Sequence, residues 1–307
     1  TNNAHDPIKM MEHQKSLEAI VMEVISTLTP LQLTKFTHHF SSLYHHNRHR
    51  IFSLLSSPTL FSLTLHHLNS LSLHRKSLLI ARHLLSKLAI LAYFVEKNTI
   101  LLPSPSITTM SLRDVDAVLM LLLLCELRQH EPGSLDNAPL LCWRNILRDY
   151  MAKDMLKLSG IESCCSEVII KFIELAAKCK NFVDVMAYDI NGGDQGRSYG
   201  ISDFITDTDD ERKDKKKLAA SVAVVVALPS SNGGGDDQCV ICEEDMKLGR
   251  DVCKLPCDHF YHWKCILPWL KKTNTCPCCR FQLPSDDVFA EIQRLWDVLS
   301  KISGGAT

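Results

Sequence analysis

The sequence predicts an α-helical N-terminal bundle that is joined by a disordered linker to a small C-terminal module rich in cysteine and histidine. Three observations indicate this division. Residues that can cap a helix stand directly before proline, as in Thr29-Pro30 and Ser57-Pro58, and apolar residues then recur at helical spacing. From about residue 189 the chain becomes rich in glycine and in charged residues. Eight cysteines and two histidines then lie within residues 239–279.

The first 188 residues carry the helical signals. The pattern of a capping residue before proline occurs again at Asp6-Pro7 and at 137–139. Proline suits the first turn of a helix because its φ is already near the helical value and its missing N–H has no helical partner there. We therefore expect a helical domain at residues 1–188, a flexible linker at 189–237, the Cys- and His-rich module at 238–284, and a C-terminal helix at 285–301.

The C-terminal helix has its own signature. Ser285 can cap it, and Val288, Ile292, Leu295 and Leu299 then form one apolar stripe. Such a stripe packs on the Cys- and His-rich module, on the bundle, or on a second copy of the chain. We expect it to pack within the chain.

Charge is distributed unevenly along the chain. The formal net charge of -1 argues against general nucleic-acid binding. Between Glu23 and Glu96 there is no acidic residue, and the span carries the basic residues Lys35, Arg48, Arg50, Arg75, Lys76, Arg82 and Lys87. Two interpretations stay open: a basic helical face that contacts an anionic organelle surface, or basic faces of a bundle in solution. The longest apolar runs, at 117–125 and 222–228, are shorter than the roughly 18 residues that span a bilayer, so no transmembrane helix is expected.

The candidate metal ligands fall into four regularly spaced pairs. They are Cys239/Cys242, Cys257/His259, His262/Cys265 and Cys276/Cys279. Zinc prefers four thiolate or imidazole ligands in a tetrahedron, and a two-residue gap lets both side chains of a pair reach one ion. Eight ligands therefore predict two Zn²⁺ ions. Cysteines at such spacing also indicate a reducing intracellular compartment and not a disulfide framework.

Two further cysteines and another zinc fold need to be weighed. Cys278 could replace Cys279, and Cys253 could compete with Cys257, but the regular spacing favours the four pairs. A DNA-binding finger of the Cys2His2 type needs about twelve residues between its second cysteine and first histidine, and three to five between its histidines. Neither spacing occurs here.

The ligand order, with cysteine in third place and histidine in fourth and fifth, resembles the RING-H2 family. In that family the first and third ligand pairs share one zinc and the second and fourth share the other, which gives a cross-brace. The resemblance implies one ion at Cys239, Cys242, His262 and Cys265, and a second at Cys257, His259, Cys276 and Cys279. Four protein ligands on each ion leave no free position, so both zincs are expected to be structural.

Members of this family are E3 ubiquitin ligases that recruit a conjugating enzyme (E2) carrying ubiquitin. The resemblance implies that Ile241, Trp269 and Pro277 build the apolar groove that binds the E2, and that Arg280 bridges the E2 and its ubiquitin. The ligase then contributes positioning and forms no covalent ubiquitin intermediate. The alternative, from a different class, is a non-catalytic zinc-binding adaptor that uses the module only to bind proteins.

Three further segments narrow the resemblance. Residues 219–229 resemble the short element that precedes the RING in many plant RING-H2 proteins. Residues 263–270 and 281–287 resemble those of plant ligases of the shoot-gravitropism type, which are associated with amyloplasts. The resemblance implies residence at a plastid surface, with the cytoplasm or nucleus as the alternative. An unidentified protein substrate is expected to bind the helical domain.

Overall fold

The computed structural model describes residues 17–95, 102–103, 105–136, 138–158, 165–190, 218–231, 238–246 and 251–304. Within these residues, eight helices precede the linker: α1 (Leu17–Ser26), α2 (Pro30–Ser56), α3 (Pro58–Ser70), α4 (Leu73–Val95), α5 (Pro105–Thr108), α6 (Leu112–His130), α7 (Leu140–Leu158) and α8 (Cys165–Ile190). The C-terminal part has α9 (Val222–Ala227), β1 (Ser230–Ser231), β2 (Val252–Lys254), β3 (Phe260–His262), α10 (Trp263–Leu270) and α11 (Val288–Gly304). The predicted fold class, a helical bundle followed by a small metal-binding module, is confirmed.

Two of the predicted helix starts lie where the proline pattern places them. The Thr29 hydroxyl accepts from the backbone N–H of Gln32, whose side chain accepts in turn from the backbone N–H of Thr29. This capping box satisfies two N–H groups that the first turn of α2 would otherwise leave without partners. Ser57 caps α3 in a similar way, through a hydrogen bond from the backbone N–H of Leu60. The pattern at Asp6-Pro7 lies outside the described residues.

The helical domain contains two adjoining apolar cores. One core is built by α1, the first half of α2, α4, α8 and α11, and the other by the second half of α2 with α3, α6 and α7. Phe36, Phe40 and Phe172 join α2 to α8 in the first core through edge-on ring contacts, with Phe40 and Phe172 centroids 4.9 Å apart. Edge-on rings of this kind add to the stabilisation from buried area.

Helix α4 is the central helix of the bundle. Judged by length and composition alone, its 23 residues could cross a membrane. In this structure α4 contacts α2, α5, α6, α8 and α11, and Ile80, Leu84, Leu88 and Leu91 are buried in the first core. Its apolar surface is therefore used for packing between helices.

Helix α11 belongs to the helical domain although it follows the metal-binding module in sequence. The predicted stripe of Val288, Ile292, Leu295 and Leu299 is buried in the first core, and α11 packs on α4 and α1. Of the three packing partners left open by the sequence, the structure shows the bundle. The helix also runs to Gly304, beyond the predicted end at 301.

The predicted cap of α11 was wrong. The backbone N–H of Ala290 donates to the Asp287 side chain at 2.9 Å, so Asp287 is the capping residue. Ser285 instead donates its backbone N–H to Glu291 at 2.7 Å. Glu291 also pairs with Arg294 at 2.8 Å, and both side chains are buried. The backbone N–H of Ser285 is bound by the buried carboxylate of Glu291, in the first turn of the helix. The sequence pattern could not show this contact.

Part of the expected linker is folded. Residues 218–231 pack on the metal-binding module: the backbone N–H of Ala220 donates to Leu270, and that of Ser221 donates to Pro284. Strand β1 pairs antiparallel with β2, which pairs antiparallel with β3, and Ser230 lies opposite Cys253. The remaining linker positions, 191–217 and 232–237, lie outside the described residues.

The acid-free span places several of its cations inside the fold. Arg50 forms two hydrogen bonds with Asp116 of α6, at 2.6 and 2.8 Å. Lys87 is buried in the bundle, and one guanidinium nitrogen of Arg48 is buried. The surface of the span is therefore less basic than its composition indicates.

Candidate metal centre

Two hairpins of the same geometry hold the first and last ligand pairs. In the first, the backbone N–H of Cys239 donates to Glu244 and that of Glu243 donates to Cys239. In the second, Cys276 donates in the same way to Phe281, and Arg280 donates to Cys276. Each hairpin closes with an isolated antiparallel bridge at the same offset, 238 to 245 and 275 to 282. Repetition of one turn explains why both pairs keep the same two-residue gap.

The turns need a left-handed residue after each pair. Glu243 has a φ of 59° and Arg280 a φ of 58°, and Asp258, between Cys257 and His259, has a φ of 63°. Non-glycine residues in this region cost roughly 1–2 kcal/mol each, so the surrounding structure must hold them there. All three lie next to a candidate ligand, where metal coordination can supply that restraint.

The structure brings the eight predicted ligands together as two groups of four. Cys239, Cys242, His262 and Cys265 form one group, and Cys257, His259, Cys276 and Cys279 form the other. Within each group the candidate ligand atoms lie within 4.8 Å of one another. The chain therefore crosses between the groups as the cross-brace requires.

The atoms in each group are spaced as zinc ligands should be. The Nδ1 atom of His262 is 3.4 Å from the Cys242 sulfur, and Nδ1 of His259 is 3.4 Å from the Cys257 sulfur. Two ligands on one tetrahedral zinc, with bonds of about 2.3 Å to sulfur and about 2.0 Å to nitrogen, lie about 3.5 Å apart. Three thiols and one imidazole per group also match the donors that structural zinc prefers. The residues fit two Zn²⁺ ions.

Two thiols of the same ligand group differ in how readily they ionise. Burial opposes ionisation of Cys239, but hydrogen bonds from backbone and side-chain groups of His262 and from the backbone of Ile241 and Cys242 lower its pKa to about 7. Burial raises the pKa of Cys265, in the same group, to about 12. Zinc binds thiolates, so filling the group releases protons, and metal binding is coupled to folding.

The two competing cysteines lie outside both groups. Cys253 is buried in β2, within the apolar core of the module, and burial raises the pKa of its thiol to about 12. Cys278 is exposed, between the ligands of the last hairpin. Cys253 therefore acts as an apolar core residue in this fold.

The predicted E2-binding residues lie at the surface of the module. Ile241 is 36% exposed and Trp269 is 39% exposed, while Pro277 is half-buried. The indole N–H of Trp269 donates to the carbonyl of Thr275 at 2.7 Å, so the ring is held in one orientation. Arg280 is exposed at the end of the last hairpin.

Two exposed apolar residues were not predicted. Val240 lies beside Ile241 between the first two ligands, and Leu267 lies on α10 near Trp269; both are exposed. The sequence did contain a signal for Val240. Cys239 and Cys242 belong to one ligand group, so the short turn that joins them leaves both intervening residues at the surface.

The comparisons with known proteins agree with this geometry. A family model described as a ring finger domain matches residues 237–280. The chain is 46% identical over 291 residues to the protein named "E3 ubiquitin-protein ligase SGR9, amyloplastic" of Arabidopsis thaliana, which covers 92% of this chain and 96% of that protein. The chain belongs to the RING-finger E3 ubiquitin ligases.

Two other ligases match this one over a much shorter stretch. "E3 ubiquitin-protein ligase RING1-like" of Arabidopsis thaliana is 50% identical over 50 residues, which are 16% of this chain and 15% of that protein. "E3 ubiquitin-protein ligase RNF181 homolog" of Drosophila melanogaster is 48% identical over 58 residues, 19% of this chain and 40% of that protein. No solved structure matches the ligase. The similarity to the Arabidopsis SGR9 protein thus extends through the helical domain, whereas these two matches do not.

Proposed function

We propose that this ligase binds a ubiquitin-loaded E2 through Ile241, Trp269 and Pro277, and that Arg280 holds the E2 and its ubiquitin in the reactive arrangement. The observation that carries the proposal is the pair of half-exposed apolar side chains, Ile241 and Trp269, on the module that holds the two ligand groups. A partly exposed tryptophan with a fixed ring is typical of an interface anchor. Arginine suits the bridging role because its planar group can donate to two partners at once.

The two zinc groups would give this surface its shape. We assign Cys239, Cys242, His262 and Cys265 to one ion and the other four ligands to the second, as the grouping of their side chains supports. When bound, zinc supplies the crosslinks that a module of this size needs in order to fold. The residues of the chain do the rest: they present the apolar side chains and fix the turn that carries Arg280.

The reaction takes place between the E2 and the substrate. The amine of a substrate lysine attacks the thioester carbonyl between ubiquitin and the E2 cysteine, an isopeptide bond forms, and the E2 thiolate leaves. The attacking nitrogen loses its proton. The ligase accelerates this step by holding the reactants in place, since fixed orientation alone can contribute several kcal/mol.

Binding and positioning should separate under mutation. Ile241→Ala and Trp269→Ala should abolish E2 binding, because truncation of an interface anchor commonly costs about 2 kcal/mol or more. Arg280→Ala should keep the binding but slow ubiquitin discharge to free lysine; alanine also carries a Cβ, so the left-handed turn is changed little. Calorimetry and a single-turnover discharge assay measure the two effects.

A matched control is Val226→Ala, at an exposed valine on α9 that is not one of the predicted E2-binding residues. It should bind the E2 and discharge ubiquitin like the wild type. Wild-type discharge by Arg280→Ala would favour the adaptor alternative, in which the module only binds proteins.

We also propose that the helical domain consists of α1–α8 together with α11, and that it binds the protein substrate. The burial of α11 in the first core supports this division. The short connection from the RING module into α11 then limits how far the E2 can lie from a substrate bound to the bundle.

We propose further that the ligase acts at the amyloplast surface, in shoot gravitropism by resemblance. The Arabidopsis relative is amyloplastic by name. Lys35 and Arg75 are exposed on the acid-free span and Lys76 is half-buried, and each cation near an anionic lipid face contributes about 1 kcal/mol. Arg50 and Lys87 are not part of this surface, because Arg50 is paired with Asp116 and Lys87 is buried.

A fluorescent fusion of the full chain tests the location. We expect a signal at amyloplast surfaces that is lost when Lys35, Arg75 and Lys76 are reversed to glutamate. Reversal of three cations outside the span, Arg113, Arg148 and Lys272, should leave the signal in place. A diffuse cytoplasmic or nuclear signal from the wild-type fusion would contradict the proposal. The full chain is needed because a fragment of residues 1–190 lacks α11.

A further inference from the structure

The helical domain contains a deep groove between α2, α4, α6, α7 and α8. Its cavity has a volume of about 790 Å³. The apolar residues that line it include Phe40, Leu119, Leu122, Leu123, Met151 and Phe182. Ligand sites in proteins typically occupy about 300–1,000 Å³ and are mostly apolar with a few polar groups.

The groove continues beyond this cavity. A second cavity of about 620 Å³ shares Glu126, Gln129, Tyr150, Glu174 and Lys178 with the first and runs on between α6, α7 and α8. The combined groove is therefore long, with an apolar inner part and a polar outer part. An extended polypeptide fits such a shape better than a compact ligand does.

Two polar groups at the inner part have no hydrogen-bond partner among the described residues. They are Nη2 of Arg48 and Nε2 of His83, both buried atoms. His83 is only 4% exposed. Burial, and to a smaller extent the nearby charge of Lys87, lowers its pKa to about 3, so its imidazole is neutral. Unsatisfied buried polar groups are costly, so a hydrogen-bonding group that enters the groove would stabilise both of them.

The other cations that line the first cavity are already paired, whereas the exposed Glu174, in the part shared with the second cavity, has no cation within 4 Å among the described residues. Lys171 lies 3.0 Å from Glu167 and Lys178 lies 3.9 Å from Glu126. Arg48 is the lining cation without an acidic partner in the part of the chain that the structure describes. The inner part of the groove, beyond the stretch shared with the second cavity, thus combines apolar walls with one uncompensated guanidinium, and this combination fits an apolar chain that ends in a carboxylate.

We propose that this groove binds the apolar C-terminal end of a protein substrate, whose terminal carboxylate accepts hydrogen bonds from Arg48 and His83. The inference rests on the proposed role of the helical domain in substrate binding, and it adds the site and the chemical class of the bound segment. Outward from the carboxylate, the peptide follows the polar continuation of the groove toward solvent.

Selection from a library of random heptapeptides with free C-termini, displayed on phage and captured by the full-length ligase, tests the proposal. We expect enrichment of peptides whose last residues are apolar. The selected peptides, synthesised with a fluorescent N-terminal label, should bind at least tenfold more weakly when the C-terminus is an amide, because the acceptor for Arg48 loses its charge.

Two variants test whether the peptide binds in the groove. Cys125→Trp fills the cavity from an exposed position on α6, and it should abolish peptide binding; Arg48→Met removes the guanidinium and should weaken it about tenfold. The matched controls are Cys142→Trp, at an exposed cysteine outside the cavity, and Arg113→Met, at an exposed arginine on α6. Both controls should bind like the wild type.

Several results would overturn the proposal: no enrichment of peptides, binding that tolerates amidation, or binding that survives Cys125→Trp. Tight binding of 11-dansylundecanoic acid with no selected peptide would assign the groove to a lipid instead. Discharge of ubiquitin from the E2 to free lysine is measured on the same variants and should be unchanged. That assay reports on the RING surface alone, so its failure and the failure of peptide binding are separate results.

Discussion

At the scale of single residues, burial changes the pKa of a few ionisable side chains in the helical domain. His83 is buried near Lys87, which lies in turn near Cys179, and burial also lowers the pKa of Lys87, to about 8. The pKa of the Cys179 thiol is raised by burial to about 12, so it supplies no negative charge near neutral pH. The cluster is therefore stable only while its histidine stays neutral.

His83 should make the stability of the helical domain depend on pH. Its pKa is about 3 in the folded chain against an ordinary value near 6.5, so between these limits the unfolded chain binds a proton that the folded chain does not. The free energy of unfolding should therefore fall with acidification from pH 6.5 downward, by up to about 1.4 kcal/mol per pH unit. Urea denaturation followed by helical circular dichroism at pH 7, 6 and 5 measures the slope.

The variant His83→Gln should show a flatter slope than the wild type, whereas His45→Gln, on an exposed part of α2, should keep the wild-type slope. Comparison of the two variants removes the contribution of the zinc ligands, which is common to both. Equal slopes in both variants would show that His83 is protonated without cost in the folded chain.

At the scale of secondary-structure elements, α11 is the segment whose position has the widest consequence. Its apolar stripe completes the first core, and its first turn holds the Glu291–Arg294 pair together with Ser285, directly after the RING module. A buried ion pair contributes little net stability, but loss of one partner is costly because the other charge stays buried. The pair therefore fixes where the chain leaves the module.

Truncation of the stripe should destabilise the helical domain. Leu295→Ala removes a fully buried side chain between α11 and α4, and such a change commonly costs about 2–5 kcal/mol. Chemical denaturation of the full chain measures the loss. Gln293→Ala, on the exposed face of the same helix, should change stability by less than about 0.5 kcal/mol. A small effect of Leu295→Ala would mean that α11 is held by the RING module and not by the bundle.

At the scale of the whole molecule, the ligase has two parts that are stabilised by different means. The helical domain is held by long apolar helices, whereas the RING module has three strands of two or three residues each and a small core. A module of that size needs crosslinks, and two Zn²⁺ ions supply them. The connections between the parts are residues 191–217 and the junction into α11.

Removal of zinc should therefore affect the two parts unequally. Metal analysis of the full chain should return about two zinc ions per molecule, since each structural zinc takes four ligands. Treatment with a strong chelator should abolish E2 binding while most of the helical circular dichroism remains. One zinc per chain, or E2 binding that survives chelation, would contradict the cross-brace assignment.

The zinc groups and the ligase function could be inferred from the sequence because their chemistry is local. Zinc accepts few donor types, and the hairpin that presents a ligand pair fixes a two-residue gap, so the pattern is visible without any fold. The structure then groups the same eight side chains. The capping box at Thr29 was readable for a similar reason, since its hydrogen bonds join residues three positions apart.

Tertiary structure alone decided the features that depend on contacts between distant segments. The stripe of α11 identified a helix but not its partner, because any apolar surface would have satisfied it. Seven basic residues in an acid-free span indicated a basic surface. In the fold, however, Arg50 pairs with Asp116, which lies 66 positions away in sequence, and Lys87 is buried. The groove around Arg48 and His83 is likewise assembled from five helices. Composition counts charges and apolar residues, but only the packed chain determines which of them face each other and which face water.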